Sequence, residues 1–184
     1  VTITGLTNGT AYSIGLRAVN AIGQGTASAN VTATPFGPPD APTGLSATPA
    51  NTQISVAFTP PSNNGGSAIT NYEYSTDGGT SWAAFSPTDA SSPVVITGLT
   101  NGTTYAIGLR AINAAGSGTA SANMNSTPVA IPSAPTGLSA TASDTEVSVT
   151  FTPSSSNGGS TITNHEYTTD GGTSWTAFAP ADTA

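Results

Sequence analysis

Large apolar residues alternate with small or polar ones along short stretches of this chain: Val1-Thr2-Ile3-Thr4, Ile54-Ser55-Val56-Ala57-Phe58 and Tyr105-Ala106-Ile107-Gly108-Leu109. A period of two puts every second side chain on one face of an extended backbone, so these stretches predict strands half-buried against a core. Helical patches, with apolar residues recurring every three and four positions, are absent. Turn chemistry punctuates the strands: Asn8-Gly9, Asn64-Gly65-Gly66, Asp77-Gly78-Gly79 and Asn101-Gly102, then Asn157-Gly158-Gly159 and Asp170-Gly171-Gly172. Asp77-Gly78-Gly79, between Tyr74-Ser75-Thr76 and Thr80-Ser81-Trp82, reads as a tight hairpin, because glycine supplies the positive φ such turns require.

The pattern repeats. The opening VTITGLTNGTAYSIGLRAVNAIG returns from Val94 as VVITGLTNGTTYAIGLRAINAAG, APTGLSAT at Ala41 returns at Ala134, and YSTDGGTSWAAF at Tyr74 returns at Tyr167 as YTTDGGTSWTAF. The offset is 93 positions throughout, and 62 of the 91 pairs formed by residues i and i+93 are identical. The chain is thus two periods less two residues, and its length does not measure a domain. About seven short strands per period predict an all-β fold of β-sandwiches in tandem.

Five motifs carry a family resemblance: Ala-Pro-Thr-Gly-Leu, Ser-Val-x-Phe-Thr-Pro, an Asn-Gly-Gly loop followed by Tyr-Glu-Tyr-Ser-Thr-Asp-Gly-Gly, Thr-Gly-Leu-Thr-Asn-Gly-Thr-x-Tyr, and Leu-Arg-Ala-x-Asn-Ala-x-Gly. In this order and spacing they resemble bacterial fibronectin type III repeats, over essentially the whole chain. The resemblance implies seven strands: A from near Ala41, B over 54–59, C over 69–75, C′ over 81–85, E over 94–97, F over 104–111 and G over 119–127. It places Tyr105, and its repeat Tyr12, at the family's tyrosine corner, with Leu99 and Leu6 filling the interior from the preceding turn. Phe58 and Phe151 stand where the family usually has tryptophan in strand B.

Residues 37–130 then make one complete domain, residues 1–36 only strands E, F and G, and residues 131–184 only strands A, B, C and C′. A piece of about 35 to 50 residues without disulfide or metal buries too little apolar surface to offset its conformational entropy. The two end pieces are complementary. Joined head to tail between chains, they generate an open linear filament; in a longer covalent array the same contact lies within one chain. The partners expected are therefore identical or near-identical domains.

Charge narrows the function classes. The chain has two arginines, nine acidic residues and no lysine or cysteine, a formal net charge of -7. Two lone cations cannot neutralise a nucleic-acid backbone. Disulfides, thiolate metal sites, cysteine nucleophiles, Schiff bases and P-loop chemistry are excluded by composition. The longest apolar runs are only a few residues, too short for a membrane-spanning helix.

Candidate chemistry is thin. His165, the single histidine, has Tyr72 as its counterpart one period earlier and reads as an ordinary strand C residue. Glu73, Asp77, Glu166 and Asp170 recur pairwise; carboxylate pairs can bind Ca²⁺ or run acid–base chemistry, but aspartate before Gly-Gly suits a hairpin tip. Trp82 and Trp175, with Phe85 and Phe178, read as packing on strand C′, the alternative being a weak sugar-stacking surface. Arg17 and Arg110, placed on strand F, are expected to pair across the sheet with Glu73 or Glu166 as surface ion pairs. Asn8, Asn30, Asn101 and Asn125 begin Asn-x-Thr triplets that match the glycosylation pattern in a chain rich in both residues. The loops at one pole, Ser62 to Gly66 and Asn113 to Gly118, carry no aromatic or arginine anchor.

No catalytic residue, cofactor or metal is expected. The reading is a structural, non-catalytic repeat unit of an extracellular filament, sheath or adhesin stalk. The alternative is a spacer in a larger secreted polysaccharide-degrading enzyme.

Overall fold

The computed structural model describes residues 1–183, and it is all-β. Contacts divide the chain into two units, one of residues 1–47, 56–94 and 105–125, the other of residues 48–55, 95–104 and 126–184. Each junction between successive repeats falls inside one unit.

Residues 1–36 hold four short strands: β1 (Tyr12–Ile14), β2 (Val19–Asn20), β3 (Gly23–Gln24) and β4 (Val31–Ala33). β1 pairs antiparallel with β4, Tyr12 opposite Ala33, and β2 with β3. Residues 37–130 hold β5 (Thr43–Ala50), β6 (Gln53–Thr59), β7 (Asn71–Ser75), β8 (Ala83–Ala84), β9 (Val94–Thr97), β10 (Tyr105–Asn113), β11 (Gly116–Ser117) and β12 (Met124–Ser126). One sheet runs β5-β6-β9 and the other β11-β10-β7-β8, with β12 also on β10. Residues beyond 130 hold β13 (Thr136–Ser143), β14 (Glu146–Thr152), β15 (Glu166–Tyr167) and β16 (Thr176–Ala177), paired as β13-β14 and β15-β16.

The alternation seen in the sequence becomes burial here. Ile54, Val56 and Phe58 of β6 point inward with Ile107, Leu109 and Ala111 of β10, all buried, while the residues between them on β6 are polar or small. Phe58 meets Tyr72 of β7 edge to face, ring centroids 4.6 Å apart. Two sheets closed over such a core are a β-sandwich.

Strand G differs from the expectation. Instead of one strand over 119–127 it is split into β11 and β12, both on β10. Between them the Leu109 N–H donates to the Ser121 hydroxyl (3.0 Å), not to a backbone carbonyl, while the Ser121 N–H donates to the Leu109 carbonyl (2.8 Å). A side chain has taken one rung of the ladder. Leu16 and Ser28 repeat both bonds at 3.0 and 2.8 Å, so the interruption is written into the repeat. Strand C′ is also shorter than expected, only Ala83–Ala84. Arg17 lies beyond β1 on no strand: strand F of the first period stops at Ile14, where its counterpart β10 runs on against β7.

Candidate functional site: the junctions between repeats

With little else in the chain that could do chemistry, the places where one repeat meets the next are its most constructed features. At the first junction the Gly9 N–H donates to the Pro35 carbonyl (2.8 Å), the Gly37 N–H to the Gly65 carbonyl (2.8 Å) and the Asp40 N–H to the Asn63 carbonyl (3.0 Å). One period later Gly102 bonds Pro128 (2.9 Å), Ala130 bonds Gly158 (2.7 Å) and Ser133 bonds Ser156 (2.9 Å). Each distance agrees with its partner to 0.1 Å, although Gly37 has become Ala130 and Asp40 has become Ser133. The bonds use backbone atoms only, so these side chains are free to change.

Backbone runs against backbone here, which explains the paired glycines. Gly65 and Gly66 hold φ at +72° and +83°, and Gly158 and Gly159 at +68° and +86°. A Cβ on Gly66 would stand 2.2 Å from the Gly9 nitrogen, and one on Gly159 would stand 2.3 Å from the Gly102 nitrogen. Both the left-handed backbone and the absence of a side chain are required. The link itself is tied down: Nδ2 of Asn113, a buried side chain, donates to the carbonyls of Gly37 and Asn64, both at 2.8 Å, and the Thr119 N–H donates to the Pro39 carbonyl (3.1 Å). Sequence reasoning saw only an anchorless loop in Ser62 to Gly66. It missed that the loop's Gly-Gly receives the Asn-Gly turn of the preceding repeat, and the signal was the 93-residue recurrence of both motifs together.

The second constructed feature lies on the outer face of β10. Arg110 Nε donates to Glu73 Oε2 at 2.5 Å, Ser117 Oγ donates to the same oxygen at 2.7 Å, and the guanidinium lies 4.5 Å from the centre of the Trp82 ring. Burial by itself would raise the Glu73 carboxyl, but the hydrogen bonds from Arg110 and Ser117 and the arginine charge together hold it below its ordinary value. Trp82 also lies across Gly108, where a Cβ would come within 3.3 Å of its ring. Trp82 is therefore half-buried on the outside of the sandwich and Trp175 is exposed, so neither is a core residue. Arg110 lies over one face of the Trp82 ring.

Residues 40–127 match the family model for the fibronectin type III domain. The fold of this stretch is the fibronectin type III sandwich. Among solved structures, the chain is similar to the chicken CNTN1 FN1–FN3 domains at 19% identity, over 67% of this chain and 44% of that one, with a TM-score of 0.44. It is similar to titin domains A168–A170 at 21% identity, over 55% and 36%, with a TM-score of 0.45. It is also similar to domains d3–d4 of the rat CD45 extracellular region at 17% identity, over 69% and 68%, with a TM-score of 0.48. The chain thus spans less than half the length of the first two.

The remaining candidate residues fall into place around the fibronectin type III sandwich. The Tyr12 hydroxyl accepts from the Thr7 N–H (2.9 Å), closing the turn before β1, and Leu6 is half-buried beside it; in the second period Leu99 is buried and Tyr105 half-buried. Phe58 is buried, and its counterpart Phe151 is half-buried with its ring 4.8 Å from that of His165. His165 thus takes the ring-packing place of Tyr72, with Nδ1 2.9 Å from the Asp182 carbonyl oxygen. The hairpin aspartates are spent on their own turns. Asp77 accepts from the Thr80 and Ser81 N–H groups (both 3.0 Å) and from the Ser75 (2.7 Å) and Ser81 (2.5 Å) hydroxyls. Asp170 repeats the set with Thr173, Ser174 and Thr168. Led by the serine hydroxyl bond, these donors hold both carboxyls well below the usual range. No cluster of three potential metal ligands occurs among the described residues. Asn101 accepts from the Thr52 N–H (2.9 Å) and donates to Asn51 (2.8 Å), so the amide that a glycan would need serves the turn. No helix of the described residues is long and apolar enough to cross a membrane.

Proposed function

We infer that this chain is a structural, non-catalytic repeat unit in a linear head-to-tail array of fibronectin type III sandwiches. Residues 37–130 are one whole sandwich, and residues 1–36 and 131–184 are complementary parts of others. The observation that carries the reading is the reproduction of one junction by the other, hydrogen bond for hydrogen bond. A flexible tether between independent modules needs no such clasp, whereas an array that must hold a fixed step from one domain to the next does.

The setting proposed is an extracellular bacterial filament, sheath or adhesin stalk. The composition suits exposure outside a cell: with no lysine and two arginines, one of them clamped on Glu73 and Trp82, trypsin-like proteases find little to cut. Electron microscopy of the native material tests the reading. Stiff filaments with an axial step near a strand length, about 30 Å for a nine-residue strand, support it; material that shows only flexible, randomly bent strings refutes it.

A further inference from the structure

Asparagine followed by glycine occurs four times in this chain, at Asn8-Gly9, Asn64-Gly65, Asn101-Gly102 and Asn157-Gly158, and all four lie at the two junctions. None of the other asparagines precedes a glycine, and the free-standing hairpin tips use Asp-Gly-Gly instead. The doublet is chemically labile: with no Cβ in its way, the glycine nitrogen reaches the side-chain amide of the asparagine before it. We propose that these doublets, Asn64-Gly65 above all, are self-modification sites that the closed junction holds unreacted and an opened junction releases, with water as the co-reactant. The proposal rests on the clasp geometry and stands whether or not the array is a filament.

The step is internal to the chain. The Gly65 nitrogen, its proton given up to hydroxide, attacks Cγ of Asn64. The N–Cγ bond forms, the Cγ–Nδ2 bond breaks, and Nδ2 leaves as ammonia after taking a proton from water. A second water opens the cyclic imide at either carbonyl. The product is aspartate or, where the chain now runs through the former side-chain carbonyl, isoaspartate with one more carbon in the backbone.

The closed junction opposes each part of this. The Gly65 N–H donates to Asn63 Oδ1 (3.0 Å) and Asn64 Oδ1 accepts from the Gly66 N–H (2.9 Å), so nucleophile and amide are held by other partners. The peptides on either side are clamped, the Asn64 carbonyl by Asn113 Nδ2 and the Gly65 carbonyl by the Gly37 N–H, both at 2.8 Å. Asn64 itself is exposed, so water is at hand, while Gly65 is buried. Asn157-Gly158 repeats the arrangement, with the Gly159 N–H on Asn157 Oδ1 (2.9 Å) and the Ala130 N–H on the Gly158 carbonyl (2.7 Å). At Asn101 the Thr52 N–H and Asn51 hold the side chain, and the Gly102 N–H is given to the Pro128 carbonyl (2.9 Å). Space bars the way back: a Cβ on Gly65 would already stand 2.0 Å from the Gly37 carbonyl oxygen, so a longer backbone cannot be seated there. Modification makes the opening one-way.

Peptide mapping by mass spectrometry, with an enzymatic assay for isoaspartate, tests this on the full chain held in mildly alkaline buffer. The folded chain is expected to lose the Asn64 amide at least about tenfold more slowly than the same chain unfolded in urea. Gly66→Ala opens the junction from one side. Gly9→Ala, whose Cβ would stand 3.2 Å from the Gly66 Cα, crowds it from the other and leaves the sequence around Asn64 unchanged. Both are expected to bring the folded rate toward the unfolded one, each measured against its own urea control, while Gly98→Ala stays at the parent value. On removal of urea, unreacted chains regain protection of the Gly37 N–H and chains with isoaspartate at position 64 do not. A folded parent that reacts at the unfolded rate, junction variants that react no faster than the parent, or isoaspartate chains that recover Gly37 protection overturns the proposal.

Discussion

Gly66→Ala separates two contributions that coincide at the junction. The residue sits at φ +83°, where an L side chain costs about 1–2 kcal/mol, and its new Cβ would lie 2.2 Å from the Gly9 nitrogen and 2.6 Å from its Cα. Carbon and nitrogen settle near 3.5 Å, so one backbone must retreat by about 1 Å. That movement takes the Gly65 carbonyl away from the Gly37 N–H, now 2.8 Å distant, a net loss of about 0.5–1.5 kcal/mol. Together the perturbation is about 2–3 kcal/mol. Gly98→Ala is the control: φ is +75° there and nothing lies within 4 Å of the added Cβ, so only the backbone contribution of about 1–2 kcal/mol applies.

Amide hydrogen exchange reads the difference. Protection of the Gly37 N–H is expected to fall at least about tenfold in Gly66→Ala, the equivalent of 1.4 kcal/mol, and to stay at the parent value in Gly98→Ala. Both variants melt earlier, by about 4–8 °C per kcal/mol for a domain of this size. Gly159→Ala, whose Cβ would come 2.3 Å from the Gly102 nitrogen, is expected to release the Ala130 N–H in the same way. A Gly66→Ala chain that keeps Gly37 protected like its parent refutes the clasp, whatever its melting temperature.

Three further outcomes follow from the sandwich itself. Arg110→Ala removes a part-buried ion pair together with the contact on Trp82 and is expected to lose about 1–2 kcal/mol in urea unfolding; unchanged stability would show that the cluster carries no structural weight. Because the folded Glu73 carboxyl is held below its unfolded value of 4.5, its contribution is present above that pH and drains away as acid takes the pH down through the folded value; Glu73→Gln flattens that acid limb in a pH series of melts. Tyr72 buries a hydroxyl that has no hydrogen-bond partner among the described residues, so Tyr72→Phe is expected to stabilise by about 1 kcal/mol in the same unfolding assay, and a clear loss would reveal a partner for the hydroxyl.

The alternation in Ile54 to Phe58 and Ile107 to Ala111 was enough to read a sandwich core from sequence, because in a two-layer β fold the inward face of each strand has a single environment. Arg110 opposite Glu73 was legible for a similar reason: opposite charges on neighbouring strands have few places to go. The tryptophans were not. An indole next to a strand can turn either way, and Trp82 lies outward across β7 onto a glycine of β10, 26 positions away, and the arginine two residues beyond it. The split of strand G was hidden because Ser121 is an ordinary strand residue until its hydroxyl replaces a carbonyl in the ladder.

The junction was hidden for a deeper reason. Asn-Gly and Asn-Gly-Gly are each fully explained as turns by local chemistry, so nothing in either motif calls for a partner. Both glycines of each doublet hold a positive φ, which the turn alone explains, but these loops also leave no room for a side chain. Gly66 is closed off by Gly9, Gly65 by the Gly37 carbonyl 2.0 Å from where its Cβ would stand, and Gly159 by Gly102. The hairpin doublets Gly78-Gly79 and Gly171-Gly172 also recur 93 residues apart and have no backbone against them, so a glycine doublet alone does not distinguish a turn from a junction; what does is the neighbouring repeat's backbone lying against Gly65, Gly66, Gly158 and Gly159. In this chain each junction turn is read twice, once for its own hairpin and once for the neighbouring repeat that it meets.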